Sequence, residues 1–290
     1  MVLESLIKPI TAVKKPWELF FYGLLVASMG TFLGYWIFRD KADLVMIFLT
    51  TLACVPLMFH AIRHEEKEDI ILEKETSMLQ RHSRVLLFYT FLFLGITVAF
   101  VIWYVALPTE MSQTLFKQQI TTIAQINSPV TAKIAEGATG HAASTSLFNR
   151  IFFNNVKVMI FCILFAFFYG AGAIFILTWN ASVVAAAIGN LIKLSMAKYA
   201  AVAGFAKIAA VTQTVTYSFS RYFLHGIPEM FAYMVAGLAG GIISVAVINH
   251  DFGSENFQKI ILDASTLLII AISVLFTAAV MESYITPALF

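Results

Sequence analysis

The chain has 290 residues, of which 60% are hydrophobic and 12% are charged, and its formal net charge is +2. A soluble protein of this length could not bury so much apolar surface, so the composition excludes a soluble globular protein and indicates a chain solvated mostly by a lipid bilayer. The small net charge gives no reason to expect a nucleic-acid partner.

The apolar runs are long and continuous, which predicts helices, because a helix satisfies its own backbone hydrogen bonds in lipid. About 20 apolar residues are needed to span the hydrocarbon core. We therefore predict an all-α fold, a polytopic transmembrane helical bundle with about six long spans. The first three spans are predicted at 17–38, 44–61 and 85–107. The charged segment 63–84 is predicted to be a solvated helical extension, and 109–150 an amphipathic stretch of polar and small residues.

Three further spans are predicted at 151–179, 230–248 and 265–282. Between 180 and 229 the apolar runs are short, and hydroxyl residues alternate along the chain from Thr212 to Ser220. Alternation favours a strand, but an unpaired strand is not stable in lipid. We therefore predict short or broken helices at 180–229, packed inside the protein, some of them re-entrant.

Lysine and arginine counts in the connecting segments predict the orientation. With the N-terminus inside, eleven of these residues lie in the inner segments and six in the outer ones. The inner set includes Lys193, Lys198 and Lys207, and the outer set includes Lys259. The count predicts a multi-pass protein of the cell membrane, with both termini and 63–84 in the cytoplasm and 109–150 outside.

Small residues recur on the predicted helices at the spacing that lets two helix backbones approach closely. Two GxxxG pairs are present, and on the helix of the second pair an adjacent stripe also has small residues at every fourth position. The residues expected to pack are Gly30, Gly34, Ala232, Ala236, Gly237, Gly240 and Gly241. Packing within the chain is the favoured interpretation, and a homo-oligomer is the alternative.

Several polar residues fall inside or beside apolar runs, where a charge costs at least ~2.5 kcal/mol. Such side chains are expected to face one another, a membrane surface or a water-filled path. The expected cluster consists of Asn154, Asn155, Asn180, Arg221, His225 and Glu229. An alternative is that Gly226 and Pro228 form a turn and that Glu229 caps a new helix starting at Pro228.

The same residues carry a resemblance to a known family. The Asn154–Asn155 pair, Gly170 and Gly172, Asn180, and the stretch from His225 to Glu229 (HGIPE) resemble the stage II sporulation protein M family over roughly 85–290. The resemblance implies an integral membrane protein. The sporulation member of the family is similar to a scaffold that holds enzymes at the membrane and is not an enzyme itself. The resemblance also suggests two units, 1–84 with an extra pair of transmembrane helices and a charged cytoplasmic segment, and 85–290 with the family domain.

Three functions are considered. The first is a non-enzymatic membrane scaffold or membrane-remodelling protein, whose partners are the lipid bilayer and other membrane or extracytoplasmic proteins. The second is a transporter or channel with a polar site near 180–229. The third, an intramembrane enzyme, is not favoured, because the sequence has no HExxH and no GxSxG motif. No cofactor, metal or catalytic residue is expected, and Cys54 and Cys162 are predicted to be buried thiols.

Overall fold

The computed structural model describes residues 15–71, 82–125, 140–169, 173–201, 204–249 and 254–289, and within these ranges it is helical with no β-strand. The predicted all-α fold is confirmed. The helices are α1 (Glu18–Ile37), α2 (Ala42–Ile71), α3 (Ser83–Ala106), α4 (Thr109–Leu115), α5 (117–125), α6 (Gly140–Tyr169), α7 (Ile174–Lys198), α8 (Gly204–Asn249), α9 (Glu255–Val280) and α10 (Thr286–Leu289). A 3-10 turn at Arg39–Lys41 joins α1 to α2, and a π-helical turn at Met281–Ile285 joins α9 to α10.

Seven helices in the described part of the chain are long and apolar enough to cross a membrane, so a multi-pass bundle is confirmed. Their candidate spans are Glu18–Ile37, Arg39–Ala61, Ser83–Ala106, Ser144–Phe167, Ile174–Lys198, Phe223–Ile248 and Phe257–Leu289. The additional span arises because the predicted span at 151–179 is wrong. Its residues belong to two helices, since α6 ends at Tyr169 and α7 begins at Ile174.

The prediction of short or broken helices at 180–229 is wrong for most of this region, which consists of the end of α7 up to Lys198 and the start of α8 from Gly204, both long helices. The polar residues that suggested interruptions are satisfied without breaking a helix. The Asn180 side chain donates to the Ile176 carbonyl at 2.8 Å, and the Thr214 hydroxyl donates to the Ala210 carbonyl at 2.9 Å. Pro228 lies inside α8 and does not start a new helix.

The seventh span changes the basis of the orientation prediction. If all seven candidates cross, Lys193, Lys198 and Lys207 move to the outer side and Lys259 to the inner side. The count of eleven against six becomes nine against eight. An odd number of crossings also places the two termini on opposite faces, whereas six spans placed them on the same face. We call the face that carries 107–125, 199–201 and the end of α10 the distal face.

The small residues on α1 lie against α2. A Cβ atom added to Gly30 would come 2.6 Å from Thr50 Oγ1, and one added to Gly34 would come 3.1 Å from the Met46 nitrogen. Such distances leave no room for a side chain, so the two helix backbones are in direct contact. α1 also packs closely along α3, so α1 lies between α2 and α3.

The small residues of α8 lie against α6 and the start of α7. A Cβ atom on Gly240 would come 2.8 Å from the Ile163 carbonyl oxygen, and one on Gly237 would come 2.6 Å from the Ala173 Cβ. Residues 232–242 of α8 are all buried, a stretch that includes Ala232, Ala236 and Gly241. This face of α8 therefore packs within the chain.

These contacts predict that Gly237→Ala and Gly240→Ala each destabilise the protein by about 1–3 kcal/mol, because the new methyl group meets fixed backbone. Gly226→Ala on the same helix is the matched control, since a Cβ there meets nothing within 4 Å. The control should be neutral or slightly stabilising. Thermal unfolding in one detergent measures all three. Equal melting temperatures for the three variants would show that this face of α8 is not tightly packed.

The seven spans predict that cysteines introduced at Lys15 and Ala288 react with an impermeant thiol reagent from opposite sides of sealed vesicles. The native Cys54 and Cys162 are both buried and should contribute little background. Labelling of both positions from the same side would mean that one of the seven candidates does not cross.

Candidate functional site

The residues around Glu229 form a polar cluster where α6, α8 and the π-helical turn meet. The Asn155 side chain of α6 donates a hydrogen bond to Glu229 Oε1. On α8, His225 lies one turn before Glu229, and its Nε2 atom lies 4.0 Å from Glu282 Oε1 in the π-helical turn. The Thr286 hydroxyl lies 3.5 Å from His225 Nδ1. Three segments that are distant in sequence thus contribute to one site.

Glu282, like Thr286, belongs to the cluster but was not predicted from the sequence. Its carboxyl group lies near that of Glu229 and interacts with it, and it is 4.0 Å from the imidazole of His225, one turn away on α8. In the sequence it closes the predicted span at 265–282, a place where a charged residue usually marks the membrane surface. The candidate span continues past Glu282 to Leu289. This continuation could have indicated that Glu282 lies inside the bundle.

The pairing follows from antiparallel packing of α8 against the last helical segment. Glu229 and Glu282 face each other across this contact. One turn toward the distal face, His225 of α8 faces Thr286 of the last helical segment. At this point the last helical segment changes from α-helical to the wider π-helical geometry. Such π-helical turns often occur at functional sites. The geometry therefore faces two polar pairs across one helix–helix contact.

The cluster lies inside the candidate spans, about two helical turns from their distal ends. Glu229 is six residues inside the start of its span at Phe223, and Glu282 is seven residues before the end of its span at Leu289. At 1.5 Å per residue, both carboxyl groups lie roughly 10 Å along their helices from the span ends. The side chains of His225 and Glu282 remain 14% and 26% exposed, so the cluster is not sealed on the side of these two residues.

Some of the residues that were predicted to join the cluster do not contribute to it in the structure. Asn154 is exposed, although its neighbour Asn155 is buried. Asn180 donates to a carbonyl of its own helix. Arg221 lies within α8, but its side chain is outside the described residues, as are Gly170 and Gly172.

A second polar contact, also missed from the sequence, fastens α7 to the segment after α3. Lys193 Nζ donates to the Leu107 carbonyl at 2.8 Å and to the Ser112 hydroxyl at 2.9 Å. The same ammonium group lies 5.3 Å from the centre of the Tyr104 ring, a distance suited to a cation–π contact. These bonds hold the distal-face segment 107–115 against the bundle.

The chemistry available to the cluster is that of two carboxyl groups, an imidazole, an amide and a hydroxyl. Such a set can hold helices together, bind a proton or pass one between groups. Among the described residues, no group of three or more His, Cys, Asp or Glu side chains is arranged to hold a metal ion.

The helices and the cluster define a class, the polytopic all-α membrane proteins with an intramembrane polar site. Within that class, a family model described as stage II sporulation protein M matches residues 86–287. The chain belongs to this family, as the sequence resemblance indicated. No curated protein and no solved structure matches the chain.

The contact between Asn155 and Glu229 predicts that Asn155→Leu lowers the free energy of unfolding by about 1–3 kcal/mol, because the buried carboxyl group loses its donor. Asn154→Leu is the matched control, since its side chain is exposed on the preceding position. Denaturation in a single detergent gives both values. Equal losses of unfolding free energy for the two variants would show that the hydrogen bond does not stabilise the protein.

Proposed function

We propose that the chain is a non-enzymatic integral membrane scaffold or membrane-remodelling protein that organises partners at the membrane. The observation that supports this most directly is the length of α8, which has 46 residues. At 1.5 Å per residue it is about 69 Å long, whereas the hydrocarbon core is about 30 Å thick. Its candidate span starts at Phe223, so residues 204–222 lie before that span. We call them the α8 extension.

The surface of the α8 extension suits a partner. Phe205 is 83% exposed and Ile208 is 63% exposed, and Tyr217 and Phe219 are exposed as well. The charged residues of the extension are Lys207 and Arg221, both basic. Several large exposed apolar side chains on one helical segment are typical of an interaction surface. The extension joins the bundle at the distal face, above the polar cluster.

The proposal places the N-terminus in the cytoplasm and the distal face outside. This orientation is supported by the lysine and arginine residues before the first span and in segment 63–84. The first spans usually dominate the orientation of a membrane protein. In this orientation the α8 extension would meet extracytoplasmic or membrane proteins. A second copy of the chain is the alternative partner.

Site-specific photo-crosslinking in cells tests the scaffold function. A photoreactive residue at Phe205 or Ile208 should give discrete protein adducts. Ile269 is the matched control, because it is 65% exposed in the middle of α9 and should contact lipid. An adduct from the extension that an Ile208→Arg substitution abolishes would support a defined partner. Adducts with lipid alone at all three positions would contradict the proposal.

The polar cluster favours a second candidate function, a transporter or channel. Its support is the pair of carboxyl groups within candidate spans and the partial exposure of Glu282, since intramembrane ionisable groups commonly mark ion paths. The short helices that first suggested this function are parts of two long helices, α7 and α8. The support therefore rests on the cluster alone.

Proton flux in proteoliposomes tests this second candidate. Vesicles with the protein should dissipate an imposed pH gradient faster than vesicles with a Glu229→Gln variant. Glu255→Gln, an exposed position in the first turn of α9, is the control and should behave like the parent. A parent rate equal to that of empty vesicles would contradict proton transport.

A further inference from the structure

We propose that Glu229 and Glu282 form a proton-binding site, which holds one proton between the two carboxyl groups and exchanges it with the distal face past His225. The site is assembled by α8 and the π-helical turn, and Asn155 of α6 completes it. This inference goes beyond the scaffold function and does not depend on it, because a structural cluster and a transport site would both need the proton.

The contact between the two carboxyl groups requires the proton. An ionised carboxylate only accepts hydrogen bonds, so two carboxyl groups in hydrogen-bonding contact need one O–H between them. If both were ionised, two like charges would face each other in a medium of low dielectric constant. Pairs of carboxyl groups in other buried sites share a proton for the same reason.

Among the described side chains, no lysine or arginine contacts the pair to balance two negative charges. Asn155 contributes one neutral donor to Glu229. The titratable groups that interact with the pair among the described side chains are His225 and Tyr233 of α8, and the Cys162 thiol of α6 faces Tyr233. With a neutral imidazole and one shared proton, the cluster carries a single negative charge. Protonation of His225 would neutralise it.

His225 and Glu282 provide the route for exchange. Their side chains are 14% and 26% exposed, and His225 lies one turn nearer the distal face than Glu229. The imidazole lies 4.0 Å from the Glu282 carboxyl and 3.5 Å from the Thr286 hydroxyl. A proton that leaves the pair for His225 converts a neutral carboxyl and a neutral imidazole into a carboxylate and an imidazolium, so no further reactant is needed.

Infrared spectroscopy of the reconstituted protein tests the site, because a protonated carboxyl group has a C=O stretch that a carboxylate lacks. At neutral pH the parent should show a protonated-carboxyl band that moves on labelling with ¹³C-glutamate, and the band should disappear in alkaline buffer. Glu229→Gln and Glu282→Gln should each remove the band. Glu255→Gln should leave it unchanged.

His225→Gln separates the exchange route from the site itself. It should keep the band but slow its shift after transfer into D₂O, whereas a purely structural histidine would leave the exchange rate unchanged. If a Gln variant fails to fold, the shift of the parent's band on ¹³C-glutamate labelling still tests the proposal. A parent without a glutamate band at neutral pH, a band that survives both Gln variants, or a band that sodium ions remove would each overturn the proposal. The last result would identify a cation site instead.

Discussion

The structure depends on the need to satisfy polar groups inside an apolar bundle. A carboxyl group at the depth of Glu229 is stable only with partners, and the partners come from two other segments, Asn155 on α6 and Glu282 in the π-helical turn. This requirement fixes the rotation of α8 toward α6 and its register along the last helix. The small residues that follow on α8, such as Gly240 against Ile163, then allow the close backbone contact that this register imposes.

The fold class and family followed from the sequence because they depend on composition and on local patterns. The apolar runs gave the helices, and the stretch from His225 to Glu229 identified the family. The division of the chain after 150 did not follow. Tyr169 and Ile174 belong to one apolar run in the sequence, and the two glycines between them, Gly170 and Gly172, were included in a single span although glycine is also a common helix end. Conversely, Pro228 resembled a helix start and Asn180 followed the end of a predicted span, yet both lie inside continuous helices.

The candidate site could be predicted only in part, for a related reason. Glu229, His225 and Asn155 were recognisable because polar residues in an apolar run need an explanation. Which of them meet depends on helix register, and Asn154 and Asn155 are indistinguishable until the rotation of α6 is known. Glu282 occupied the end of a predicted span, where a charge is ordinary. Its role emerges from the π-helical turn, which has no simple sequence pattern.

The central claim is that Glu229 and Glu282 interact directly within the bundle. A double-mutant cycle of Glu229→Leu, Glu282→Leu and the combined variant, measured as free energies of unfolding in one detergent, tests it most directly. The account predicts that the double variant loses less stability than the two single variants together, because each single change leaves one carboxyl group without its partner. Losses that add to within about 0.5 kcal/mol would contradict a direct contact.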